Sequence, residues 1–262
     1  MPDLSKIYDF LKENSHFNRD FQLKSDRALL SGLSSSKDQV IRVLYAVLET
    51  KAAQRLDDTA EFWRELCSWP EVCFESLDNF VSKLAGVERC PDDRWCGLYA
   101  ALKSKDGWGP KTSALLVKHF IRIALNNPEM SFWKSCPVDQ KSLEQSTLYI
   151  PVDAVILSIF EYINGGVRGN FSSVNEHIKN ANDKGADLLL WDDLWFWGFI
   201  TQVGGGANRR MEWNPSKYWC LWGTAKDEET VKDIEEKAKE FIQIITQAAP
   251  AVAVVSDIES SR

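Results

Sequence analysis

The chain has 262 residues, 44% hydrophobic and 26% charged, enough apolar material for one large domain or two small ones around a sizeable core. Its net charge of -7 argues against a broad cationic surface for polyanions, because phosphate neutralisation ordinarily comes from clustered Lys and Arg. No apolar run approaches the roughly 20 residues of a bilayer span, and the opening MPDLSKIYDFLKENSHF is charged and amphipathic, so neither a membrane span nor a secretory leader is expected and a cytoplasmic location is.

Helical periodicity dominates the chain. In SKDQVIRVLYAVLETKAAQRL, Val40, Val43, Leu44, Val47 and Leu48 recur at helical spacing behind Ser36 or Asp38 as the cap, which predicts a half-buried helix. Further helices are expected over 59–67, 76–85, 94–103, 111–125, 152–163, 188–203 and 227–247, and nothing resembles strands alternating with hairpin turns. The fold class is therefore all-α. Residues 127–149 carry two prolines and read as a long connection or inserted segment, and the closing AAPAVAVVSDIESSR reads as a frayed tail.

Six cysteines, at 67, 73, 90, 96, 136 and 220, form no Cys-x-x-Cys pair and have no nearby His, so reduced, mostly buried thiols are expected and neither a metal nor another cofactor is. Charge is segregated along the chain. From Lys103 to Arg122 five cations face one acid, a surplus of four, whereas from Lys226 to Glu240 four lysines face seven acids. Within the basic part, Lys118 and Arg122 read as a solvated helix face with DNA contact as a second reading, and His119 as structural.

The basic part also contains DGWGPKTSALLVKHF, Asp106 to Phe120. Behind a helix over 94–103, Gly107 and Gly109 permit backbone conformations closed to other residues, and Pro110 suits the first turn of a second helix. Turn amides and a helix N-terminus then point outward together, which makes an anion site able to take a phosphodiester without a basic protein overall. Downstream, Asp153 is the acid of the apolar stretch LYIPVDAVILSIF. It is either the N-cap of a helix beginning near Ala154 or a catalytic carboxylate, and one residue can serve as both.

GWGPK before an apolar helix, followed by IPVDAV at the start of the next, resembles the helix-hairpin-helix DNA glycosylases, and PKTSALLVKHF with IPVD is most similar to the 8-oxoguanine branch, including its archaeal form. The resemblance covers residues 94–163. It implies an all-α fold with two helical subdomains flanking a central cleft: an N-terminal portion over 1–93, the hairpin and catalytic core over 94–163, a Trp-rich portion over 164–247 and a tail over 248–262. It further implies Lys111 as the nucleophile of a glycosylase/lyase and Asp153 as its partner. The other reading of Lys111 is a solvated lysine touching phosphate. Lys105, Gly107, Trp108 and Gly109 are the expected DNA contacts of the hairpin. Two departures stand out. Lys111 and Asp153 are 42 residues apart, so that 127–149 has to loop out for them to meet, and Leu115 and Val155 stand where eukaryotic members carry Cys and His.

Residues 191–222 hold six of the eleven tryptophans, interrupted by GGGANRR. Trp191, Trp195 and Phe199 share a helical face, Asp192 and Asp193 suit the helix start, and Gly204 to Gly206 are expected to end that helix. Core packing is the first reading of the rings and base stacking the second, with Trp195, Trp219, Trp222 and Leu115 as candidate base-pocket residues and Arg209 and Arg210 as phosphate grips. The expected partner is double-stranded DNA carrying an abasic site or a modified base, either an oxidised purine or a hypermodified base of the phage type, bound by a monomer. The rival readings are a non-catalytic DNA-binding module and a helical protein-interaction scaffold.

Overall fold

A computed structural model of the chain describes residues 4–50, 56–126, 130, 132, 133, 143, 145–181, 187–205 and 209–248. Twelve α-helices run through these residues: α1 Ser5–Glu13, α2 Ser15–Leu30, α3 Ser36–Glu49, α4 Leu56–Ser68, α5 Leu77–Ala85, α6 Arg94–Lys103, α7 Pro110–Asn126, α8 Ala154–Ile163, α9 Phe171–Ala181, α10 Leu188–Ile200, α11 Pro215–Cys220 and α12 Glu228–Ala248. A 3-10 turn at Glu71–Phe74 joins α4 to α5. The all-α expectation holds at the level of class. The one exception among the described residues is a two-residue antiparallel ladder, β1 Gln202–Val203 with β2 Arg210–Met211.

Local chemistry sets the helix boundaries. Ser35, rather than Ser36 or Asp38, caps α3, its Oγ accepting from the Asp38 amide at 3.0 Å. Ser76 caps α5 in the same way, and Gly86 ends that helix in the left-handed region at φ 68. Asp93 caps α6 with one oxygen, 3.0 Å from the Cys96 amide, and receives the Thr147 amide on the other at 2.9 Å. The helix expected over 188–203 stops at Ile200, because the chain turns there into the β1–β2 ladder. Gly204, at φ 80, follows β1 instead of ending the helix.

The helices sort into two groups around one continuous core. Helices α3, α5, α6 and α7 pack on one another with the 3-10 turn, while α1 leaves the N-terminal portion to pack on α10 and α12, and α8 joins that second group. The Phe10 ring of α1 lies 5.0 Å from Trp197 of α10 and 5.4 Å from Phe241 of α12, so the beginning and end of the described chain share one aromatic cluster.

Two described side chains of 127–149 reach the core. Trp133 is buried, its indole donates to the Phe74 carbonyl at 3.1 Å, and its ring lies 4.8 Å from Phe120 of α7. Leu143 is buried as well. Trp133 is thus anchored on α7 and the 3-10 turn, and Thr147 on the cap of α6. The tail expected from 248 onward lies outside the described residues, apart from Ala248 itself, which ends α12.

The thiols differ from expectation. Cys67 and Cys220, near the ends of α4 and α11, are exposed, and Cys73, Cys90 and Cys96 are partly buried. Cys136 lies outside the described residues. Among the described residues no helix is long and apolar enough to cross a membrane.

Candidate active site at a helical hairpin

Helix α6 ends as the Ser104 amide bonds to Ala100 at 3.1 Å and the Lys105 amide to Leu102 at 2.9 Å. A tight turn follows, with the Trp108 amide on the Lys105 carbonyl at 3.1 Å and Gly107 at φ 81, a conformation that disfavours any side chain. Gly109 does not use such a conformation. A Cβ built there meets nothing within 4 Å, so this glycine leaves the backbone open to approach instead of permitting a turn.

Pro110 opens α7, whose first interior bond runs from the Ser113 amide to the Gly109 carbonyl at 3.0 Å. The amides of Lys111 and Thr112 therefore have no acceptor within the helix, and Gly109 has no side chain with which to cap them. They remain available to an anion, helped by the positive end of a 17-residue helix.

Lys111 is partly buried on this first turn, and its amine has no hydrogen-bond or ion-pair partner among the described residues. The neighbouring Thr112 and Ser113 are buried, and the Ser113 hydroxyl lacks a partner. Asp153 is the N-cap of α8, as one of its two readings requires. Its Oδ1 accepts from the Val155 amide at 2.9 Å and the Ile156 amide at 3.1 Å, while Oδ2 has no partner among the described residues. One carboxylate oxygen fixes the side chain and the other stays open.

Both helices rest on α10. Gly198 lets α10 approach α8 so closely that an added Cβ would stand 2.6 Å from Ile159 Cδ1 and 2.7 Å from Val155 Cγ1. Just beyond α10, the Gln202 side-chain amide donates to the Val155 carbonyl at 3.0 Å, one turn from the Asp153 cap. On the other side, Lys118 of α7 pairs with Asp192 of α10 at 2.8 Å. Gln202 was not singled out from the sequence; a lone glutamine after a Trp-rich helix carries no pattern there.

Several expectations change here. Lys118 and Arg122 are not a solvated face: both are buried, Lys118 on Asp192 and Arg122 on Asp26 of α2 through a two-pronged contact at 2.5 and 3.0 Å. Likewise Asp192 and Asp193 lie buried in the middle of α10 instead of at its start. Asn18 donates to Asp193 at 2.5 Å, and burial holds that carboxyl well above the usual range against this hydrogen bond. His119 is structural as expected, 3.0 Å from Arg122; burial, then Arg122 and Lys118, push its imidazole well below its ordinary value.

The remaining candidates scatter. Trp108 turns its side chain into the core, 5.4 Å from Phe62 of α4, so only its backbone faces the turn's exterior. Lys105 pairs with Glu65 of α4 at 3.2 Å. Arg209 donates to Gln202 at 2.6 Å, and Arg210 stands exposed 3.7 Å from Glu212. Leu115 is partly buried against the core. Trp195 stacks on Phe199 at 5.2 Å, and Trp191 and Trp197 are core residues. Trp219 and Trp222 are 55% and 66% exposed, which puts them on the surface and not in an enclosed pocket.

Comparison with known protein families, characterised proteins and solved structures finds no match.

Proposed function

We propose that the chain is a helix-hairpin-helix DNA glycosylase with lyase activity, which excises a modified base through a Schiff base on Lys111. The observation that supports the reading is an uncommitted amine on the first turn of α7 and, at the start of α8, a carboxylate with one fixed and one open oxygen, on two helices that both contact α10. In the reading, the turn amides and the α7 N-terminus grip a backbone phosphate while the damaged nucleotide swings out of the duplex.

The Lys111 amine, once deprotonated, attacks C1′ and the base departs with the glycosidic electron pair. Opening of the sugar ring gives the C1′ imine, loss of a C2′ proton expels the 3′ phosphate, and water releases the lysine. The open oxygen of Asp153 stabilises the positive charge that develops on the sugar. An oxidised purine such as 8-oxoguanine, or a hypermodified base, is the substrate class, and the two-subdomain glycosylase fold belongs to the same proposal.

The net charge of -7 is no obstacle, since phosphate binding at backbone amides needs few cations. Borohydride reduction in the presence of abasic duplex tests the reading. The wild type becomes covalently joined to DNA, and Lys111→Ala does not while still binding. Equal binding by both proteins with no cross-link from either would refute the lyase and favour a non-catalytic DNA-binding module.

A further inference from the structure

The short helix α11 and the turn after it hold two tryptophans outward by construction. Tyr218, Leu221 and Gly223 all face inward and are buried. A Cβ on Gly223 would come within 3.1 Å of the Phe21 ring, so the turn lies directly on α2. Asn214 fastens the start of α11, accepting from the Lys217 amide at 3.2 Å and donating to the Gln202 carbonyl at 3.1 Å. The Leu221 and Thr224 amides close the far side at 3.1 Å each. With Tyr218, Leu221 and Gly223 packed inward, the backbone of this stretch is held and presents Trp219 and Trp222 to solvent.

Two amines accompany them, Lys217 in α11 and Lys226 just after the turn, with the acids Asp227, Glu228 and Glu229 following directly. The Lys226 amine lies 5.4 Å from the Trp219 ring centre and is held by the Tyr218 carbonyl and Thr224 hydroxyl. Lys217 sits 5.1 Å over Phe199, whose ring stacks on Trp195.

Size decides what such a surface can take. Two tryptophans at these exposures offer on the order of 300 Å², well short of the roughly 800 Å² per partner of a stable protein interface. That area suits one or two nucleobases, each worth a measurable stacking energy on an aromatic plate, with the phosphates between them facing Lys217 and Lys226.

We infer that Trp219 and Trp222, with Lys217 and Lys226, form a second DNA contact that stacks unpaired bases of a single-stranded or locally opened segment, separate from the hairpin. The inference rests on the glycosylase reading for its choice of DNA as ligand. The experiment compares wild type, Trp219→Ala/Trp222→Ala and Trp219→Phe/Trp222→Phe for binding to a fluorescein-labelled duplex containing a short gap of unpaired thymidines.

The double alanine variant binds the gapped DNA at least about tenfold more weakly, and the phenylalanine variant stays within about threefold of wild type. Unchanged melting of both variants verifies that exposed rings, and not the fold, are responsible. Equal affinity of the alanine variant overturns the inference. So does a wild-type dimer in sedimentation that the alanine variant abolishes, since the patch would then be a protein interface. Borohydride cross-linking on the same proteins keeps the two readings apart: a cross-link with unaltered affinity removes only the tryptophan contact, and lost affinity with no wild-type cross-link removes only the lyase.

Discussion

Asp153 allows its two roles to be separated by two substitutions. Asp153→Ala deletes the acceptor of two backbone amides, at 2.9 and 3.1 Å, at the start of α8. Loss of such a cap costs about 1 kcal/mol and at most about 2, which for a chain of this size lowers Tm by about 2–4 °C per kcal/mol. Asp153→Asn keeps an equivalent acceptor and is expected to cost less than about 0.5 kcal/mol, chiefly the favourable charge at the helix N-terminus. Chemistry orders the variants differently. On the proposed mechanism both lose the anion assigned to the sugar, so the rate of borohydride cross-linking to abasic DNA is expected to fall on the order of 10²–10³ in each. The assay pairs thermal melting with single-turnover cross-linking. An Asp153→Asn protein that melts like wild type and cross-links within twofold of it would refute the catalytic assignment and leave the residue a cap.

The two hairpin glycines should part company. Gly107→Ala forces a side chain onto φ 81 and destabilises by about 1–2 kcal/mol in a denaturant titration. Gly109→Ala meets open space, leaves stability within about 0.5 kcal/mol and instead weakens duplex binding severalfold by shielding the Lys111 and Thr112 amides. His119 gives a pH dependence. The folded protein keeps it neutral while the unfolded chain takes up a proton below about pH 6.5, so its contribution to stability is complete above that pH and declines as pH falls beneath it. A melting series across that range is shallower for His119→Gln, and an unchanged acid limb would contradict the burial argument. Gly198→Ala pushes α10 off Val155 and Ile159 and costs about 1–3 kcal/mol, measured by chemical unfolding.

What was legible in the sequence was what local chemistry determines. Pro110 at a first turn, Gly107 in a left-handed turn and Asp153 ahead of an apolar helix each act within a few residues, and each is found where its chemistry put it. The errors concern partners distant in sequence. Lys118 and Arg122 read as solvated because their counter-charges, Asp192 and Asp26, lie 74 and 96 residues away. A signal exists for α10, which is apolar all round, so that Asp192 and Asp193 had to be buried and paired. In α7 the residues Ala114, Leu116, Val117, Phe120, Ile121 and Ile123 occupy one half of the helix and Lys118 and Arg122 the other, which reads as a solvated face. The burial of Trp133 and Leu143 was hidden for a related reason: Met130, Phe132 and Trp133 form a short apolar cluster and Leu143 a single residue in a polar stretch, with no periodicity to show that they reach the core. At the site itself, the order of the residues suggested the Asp153 cap but not the Gly198 and Gln202 contacts that hold α10 against α8, because those depend on how three helices meet.

The two internal ion pairs of α7 fall one turn apart and bind it to separate helices, Lys118 to α10 and Arg122 to α2. Sliding α7 by a residue advances it about 1.5 Å and swings it about 100°, which would strand two cations in an oily interior at several kcal/mol apiece. The rod therefore has a single seating, like a keyed shaft. A shift of the glycine bend is therefore absorbed most cheaply by the six residues between α6 and α7.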